Sequence, residues 1–125
     1  MNVPANLKYT DHDEWVLIDG DVVTIGISDY AQDALGELVH VELPEVGDTF
    51  DAGSPVSEVE SVKAVAEIFT PVAGEVVAVN EDLEDEAEKI NEDAYGSWIF
   101  KLKVEDTSFA DALMDADAYK AKIEG

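Results

Sequence analysis

The apolar residues of this chain come in short extended blocks separated by turn chemistry. Trp15 to Ile18 and Val22 to Ile27 flank Asp19-Gly20-Asp21, a hairpin signal. Ser28 is placed to cap a short helix through Leu35, and Gly36 to end it. From Leu38 to Leu43, the set Leu38, His40, Glu42 alternates with Val39, Val41, Leu43, which predicts a half-buried strand. Pro44 and Gly47 punctuate a turn. Val59, Val62, Val65, Ile68 and Phe69 favour extended backbone and predict strands on both sides of Lys63. Further strands are expected at Val76 to Asn80 and Trp98 to Val104.

The last stretch changes period. Phe109, Ala112, Leu113, Ala116, Tyr119 and Ile123 follow helical spacing, with Ser108 and Asp111 as a capping pair and Asp115 as a break that caps a second short helix. There is also a short repeat: Gly36-Glu-Leu-Val-His-Val41 matches Gly74-Glu-Val-Val-Ala-Val79. Two similar halves closing on each other would form a quasi-symmetric sandwich with protected strand edges. The expected organisation is one domain over 1–125, with a helical segment at 105–125 packed on it.

Composition narrows the function. The chain has seven lysines, no arginine and 30 acidic residues, for a net charge of −23. That balance speaks against nucleic-acid backbones and anionic membranes as partners, and favours a monomer. The acidic residues are spread along the chain, which predicts a surface adapted to high salt. With no cysteine, disulfides, thiolate metal sites and cysteine nucleophiles are excluded, so any thiol chemistry must come from a cofactor. The start of the chain does not read as a secretion signal. The expected location is the cytoplasm, or an organelle matrix if a targeting segment has been removed.

In so acidic a chain, Lys63 stands out between β-branched segments. A hairpin tip there would push its amine into solvent, within reach of another protein. The segment Glu60-Ser-Val-Lys63-Ala64 followed by Pro71-Val-Ala-Gly74-Glu-Val76 resembles the lipoylation site of the glycine cleavage system H-protein family. The stretches Ile25 to Gln32, Leu35 to Gly47, Tyr9-Thr10, Glu14-Trp15-Val16 and Asn91 to Gly96 resemble other parts of that family, in its order and spacing. The resemblance implies a mainly β fold, a lipoyl-type barrel-sandwich hybrid with added terminal elements. It also implies a carrier rather than an enzyme. Lipoate joined to Lys63 by an amide would take the aminomethyl group of glycine from the pyridoxal-phosphate decarboxylase (P protein) to the aminomethyltransferase (T protein). Dihydrolipoyl dehydrogenase (L protein) would reoxidise the arm, and a lipoate ligase or lipoyl/octanoyl transferase would attach it.

Resemblance further assigns Glu60 and Gly74 to recognition by the modifying enzyme. It assigns Glu14 and Glu67 to a pocket that shelters the cationic, hydrolysis-prone load. From its own sequence, Gly74 reads as a tight turn needing a small residue. Acylation needs a neutral amine, which is scarce for a solvated lysine, so the modifying enzyme must supply activation and the substrate must supply exposure.

Departures from the family pattern are specific. Its usual histidine before Glu-Trp is replaced by Asp13, with His12 one residue earlier, so that histidine's role does not carry over. Ala87 and Ala94 stand where prolines are common. His12 and His40 make no metal site, and His40 reads as a strand residue. No nucleophile–base pair or glycine-rich phosphate loop is present. Competing readings are a lipoyl relay, a swinging-arm carrier of the 2-oxoacid dehydrogenase type, and an unmodified acidic binding module. Biotin carriers typically flank their lysine with methionines, and 2-oxoacid dehydrogenase domains place Asp before it; here the neighbours are Val62 and Ala64.

Overall fold

The computed structural model describes residues 2–124; Met1 and Gly125, which end the expected domain and its helical tail, lie outside the described residues. Strands β1 (Lys8–Tyr9), β2 (Glu14–Asp19) and β3 (Val22–Ile27) lead into helix α1 (Asp29–Leu35). The predicted hairpin is β2–β3, turning at Gly20, whose φ is 63°. Ser28 caps α1 by accepting a hydrogen bond from the Ala31 amide at 3.1 Å, and Gly36 ends it at φ 85°. Next come β4 (Leu38–Glu42), β5 (Thr49–Phe50), β6 (Pro55–Ser61), β7 (Val65–Phe69) and β8 (Gly74–Val79). Two single-turn helices, α2 (Asp82–Asp85) and α3 (Lys89–Glu92), precede β9 (Phe100–Lys103). A 3₁₀ turn (Ser108–Ala112) and helix α4 (Ala116–Glu124) close the chain.

The strands form two antiparallel sheets, ordered β1-β2-β3-β9-β8-β5 and β4-β6-β7. Their inner faces share a core that includes Ile25, Leu38, Val59, Ile68, Val76, Phe100 and Leu102. Each such side chain, fully buried, stabilises the fold by about 1.5–3 kcal/mol. A second cluster, with Tyr9, Trp15, Ala116 and Tyr119, fastens α4 to the outer edge of the larger sheet. This is the mainly β sandwich of two half-barrels that the resemblance implies.

Several local expectations change. Strict alternation in β4 fails because the pairing with β6 shifts register between Leu38 and His40. A bulge turns one residue out of phase, so Leu38 and Val41 both enter the core while Val39 faces solvent. Gly74 opens strand β8 and is not one of the positive-φ glycines. Its constraint is close approach, since a Cβ there would stand 2.7 Å from the Lys103 carbonyl oxygen. The last predicted strand starts at Phe100 rather than Trp98. Ser108 does not pair with Asp111; its amide and hydroxyl both bond to Asp106, and a 3₁₀ turn forms. The break at Asp115 is where expected, its carboxylate accepting from the Ala118 amide at 2.9 Å.

Candidate functional site

Two places carry the chemistry, a lysine on a turn and a carboxyl in a cleft. The lysine turn joins β6 to β7. The Ser61 amide donates to the Ala64 carbonyl at 2.8 Å, closing the loop. The Ser61 hydroxyl oxygen accepts from the amides of Lys63 (3.2 Å) and Ala64 (3.0 Å). One serine thus organises the whole tip. The Val62 amide bonds to the Glu37 carbonyl at 3.2 Å, tying the tip to the segment before β4. Lys63 itself is exposed. Its stem runs past Gly36, where a Cβ would meet Lys63 Cε at 3.4 Å. Lys89, Lys103 and Lys122 are ion-paired and Lys101 lies over the Trp98 ring; Lys63 Nζ, like the amines of Lys8 and Lys120, has no partner among the described residues, and of these three Lys63 is the one on a turn between two strands. Val62 (70% exposed), Val65 (57%) and Val39 (52%) surround this end of the smaller sheet.

The cleft, about 270 Å³, opens between the start of β2, the end of β7 and the C-terminal turn. Glu14 lies at its base, almost fully buried. Its Oε1 accepts from the Thr10 hydroxyl at 2.7 Å, and its Oε2 from the Phe69 amide at 2.7 Å. Burial raises the Glu14 pKa above the ordinary value; these two hydrogen bonds and the nearby His12 act against that shift. The His12 ring lies tilted over Phe69 with centroids 4.5 Å apart. The opposite wall is Ala112, Leu113 and Met114. That wall is fixed by a two-bond bridge: the Tyr9 amide donates to the Met114 carbonyl at 2.8 Å, and the Met114 amide donates back at 3.0 Å.

Asp13 points the other way from His12. Its φ is 66°, and its carboxylate accepts from the Tyr119 hydroxyl at 3.0 Å and faces Lys122 Nζ at 3.5 Å. Ser28, 2.6 Å from the same phenol, supplies its own proton to it. Tyr119 stacks flat on Tyr9 at 4.6 Å. Burial pushes both phenols upward, so they remain protonated donors. Helix α4 is therefore bolted to the strand that leads into the cleft.

The sequence-selected residues divide accordingly. Glu60 is exposed, three positions before Lys63, paired across strands with His40 and Val65. Gly74 belongs to the other sheet, paired with Phe50. Glu67 is exposed on β7, opposite Glu58, and does not line the cleft that holds Glu14. His40 is exposed. Sequence reasoning missed Thr10, Phe69, Leu113 and Met114 as cleft residues, and gave His12 no role. The Thr10 spacing to Glu14 carried a local signal, but residues 112–114 offered none, because only tertiary pairing with Tyr9 brings them there.

A sandwich of two half-barrels that presents an unpaired lysine on a rigid turn, beside a separate cleft with a buried carboxyl, defines a swinging-arm carrier class. The glycine cleavage H-protein family model matches residues 7–125. A glycine cleavage system H protein from Burkholderia ambifaria is 51% identical over 124 residues, 98% of each chain. One from Bacteroides thetaiotaomicron is 47% identical over the full length of both. The crystal structure of a glycine cleavage system H protein from Mycobacterium marinum matches with a TM-score of 0.85 and 36% identity, covering 98% of this chain and 99% of that one. The chain belongs to the glycine cleavage H-protein family. It is a carrier subunit and not itself a catalyst, and the family works with the P, T and L proteins of the glycine cleavage system.

Proposed function

We infer that Lys63 is the lipoylated residue, and that the arm it bears carries the aminomethyl group of glycine from the P protein to the T protein. The observation that carries this reading is the exposed Lys63, without a partner among the described residues, on a turn made rigid by Ser61. A solvated amine on a fixed backbone is what an acylating enzyme needs. Its stem, passing a glycine rather than a side chain, is free to extend. When bound, the lipoyl dithiolane supplies the sulfur chemistry that this cysteine-free chain lacks.

The protein's own residues supply presentation and shelter. Glu60 offers its exposed carboxylate to a cation on the lipoate ligase or lipoyl/octanoyl transferase, and Gly74 contributes the side-chain-free start of β8, close against Lys103 and Val104. The cleft fits the loaded arm in chemistry: Phe69, Leu113 and Met114 suit its hydrocarbon, and Glu14 suits a cationic amine. Strand β7 spans about 13 Å from Val65 to Phe69, so it forms the path from the lysine turn to the cleft. Glu67 lies along that path and attracts the amine in transit. Like charge over the whole surface keeps the carrier monomeric in dilute buffer.

The test is the intact mass and peptide map of the protein from its native host grown with glycine. A lipoyl-sized increment on Lys63 is expected. An unmodified Lys63 with the lipoylation machinery present sinks the reading and leaves an acidic binding module.

A further inference from the structure

The first wall a docked arm would meet is a residue with no assigned role. His12 lies at the lip of the cleft, exposed, with its ring tilted 32° on Phe69. It is not loosely placed. Its amide donates to Thr10 Oγ1 at 3.2 Å, and the same hydroxyl donates to Glu14 Oε1. Glu14 Oε2 in turn holds the amide of Phe69, over whose ring His12 lies. One closed circuit, through the Thr10 and Glu14 side chains, the backbone amides of His12 and Phe69 and the contact between their rings, therefore ties the lip to the carboxyl at the base. Asp13, next along, is turned to α4 and does not line the cleft, so the exposed residues that this loop brings to the lip are Asp11 and His12, of which only His12 is aromatic.

We propose that His12 shields the carried group in the cleft, its ring and that of Phe69 forming an aromatic lip that covers the carried carbon and keeps water from it. The inference rests on the reading of the cleft as the dock of the loaded arm. An exposed aromatic face beside an apolar slot is costly in water and is relieved when hydrocarbon lies along it. Excluding water there matters for the carried group. In hydrolysis, water's oxygen becomes the oxygen of formaldehyde as the carbon's bonds to sulfur and to nitrogen both break. Sulfur and nitrogen each keep their bonding pair; one proton of water goes to the sulfur and the other to the nitrogen, which leaves as ammonium, with no change of redox state overall.

Two measurements on the full, lipoylated and loaded chain test this, one of them independent of activity. With the carried carbon derived from glycine labelled at its α carbon, isotope-filtered NMR should show contacts from that methylene to the His12 ring. Without T protein, His12→Ser should release formaldehyde roughly three- to tenfold faster than the parent. His12→Phe, which keeps the ring contact, should stay close to the parent. His12 is exposed, so neither change threatens the fold; Glu14→Gln, checked for its melting point, reports on the dock itself. If Glu14→Gln speeds release and the methylene touches Leu113 or Met114 but not His12, the dock stands and the lip is overturned. If His12→Phe is as leaky as His12→Ser, a polar nitrogen is required and covering by an aromatic face is overturned. If no cleft residue contacts the methylene and Glu14→Gln is silent, both readings fall together.

Discussion

The two copies of the six-residue repeat do opposite jobs. Residues 36–41 run into β4 of the smaller sheet, and β8 lies in the larger one. Each pairs antiparallel with a later strand, β4 with β6 and β8 with β9, and both carry a register shift at the same place, between Leu38 and His40 and between Val76 and Ala78. Leu38 and Val76, the equivalent positions, are both buried, and Val39 and Val77 are both exposed. Leu38 faces Ser61 and Val76 faces Leu102, so two residues further on Lys63 corresponds to Val104. The glycines keep the correspondence: Gly36 abuts Lys63 and Gly74 abuts Val104. Yet Val104 is buried, while Lys63 is exposed. The same strand–bulge–strand unit seals the core at one end and presents an amine at the other. The difference lies in the next segment of chain, a four-residue turn closed by Ser61 in one case and a departure toward the C-terminal helix in the other.

The largest effect should come from exchanging the two ends. Lys63→Arg keeps charge and exposure but removes the acylable amine, so reconstituted glycine cleavage should fall to background. Its melting temperature should stay within what about 0.5 kcal/mol allows, as for other surface changes. The converse, Val104→Lys, puts a cation where the side chain is buried. It should cost about 3 kcal/mol or more in denaturant unfolding and acquire no lipoyl increment. A lipoyl increment on the introduced lysine of a folded chain would mean that the unit's geometry, and not exposure, selects the site.

Next comes the glycine contrast. Gly74→Ala drives a methyl against the Lys103 backbone carbonyl, in a strand between two neighbours that cannot yield, and should cost about 1–3 kcal/mol. Gly36→Ala meets only the flexible Lys63 stem, but must hold φ at 85°, a strain of about 1–3 kcal/mol of a different origin. Thermal melts of both, with lipoylation measured below the transition, separate packing from recognition. A Gly74→Ala chain that is folded but refractory to the ligase would assign that glycine a direct contact.

These cases show which features local chemistry specifies. The Lys63 turn, the Ser28 cap and the hairpin at Gly20 each depend on residues within a few positions, and each was readable from the chain. The bulges were not, because alternation in β4 breaks only when pairing with β6 demands it. The helices α2 and α3 are four residues each, too short to show a period. Glu14 was readable as a candidate by resemblance, but its surroundings were not. Phe69 is 55 positions away, and the wall at Leu113 and Met114 depends on the Tyr9 bridge and on α4 held by Tyr119. A lysine site made of one turn can be read locally; a cleft made of three distant segments cannot.

The buried carboxyl of the cleft should make stability depend on pH. Burial raises Glu14, so the folded chain binds that proton at a higher pH than the unfolded chain, whose ordinary value is 4.5. Stability from this group is therefore greatest below that value. It declines as pH rises until the folded form has ionised, then stays level. Glu14→Gln should remove that decline. Denaturant unfolding of parent and variant across mildly acidic pH gives the difference, and a parent-minus-variant curve that climbs with pH would show that the hydrogen bonds from Thr10 and Phe69 outweigh desolvation.

The smallest effect concerns the face beside the lysine turn. Glu42, Glu58 and Glu67 stand in one row across β4, β6 and β7, with Glu58 in the middle. Cross-strand like charges destabilise a sheet by roughly 0.2–1 kcal/mol per pair. A screening length of about 10 Å at 0.1 M salt leaves that repulsion in place, whereas about 3 Å at 1 M removes most of it. Glu58→Gln breaks both pairs at once. It should raise stability by about 0.5 kcal/mol in dilute buffer and by nothing at high salt. The parent itself should melt higher as salt increases, as a net charge of −23 requires. No equivalent row exists among the described residues of β8 and β9, where Glu75 faces Lys103. Neutralising Glu75 should therefore leave the salt dependence nearly unchanged. If Glu58→Gln instead destabilises at both salt concentrations, the row is held by a bound cation rather than merely tolerated, and the contrast between the two faces is one of binding and not of screening.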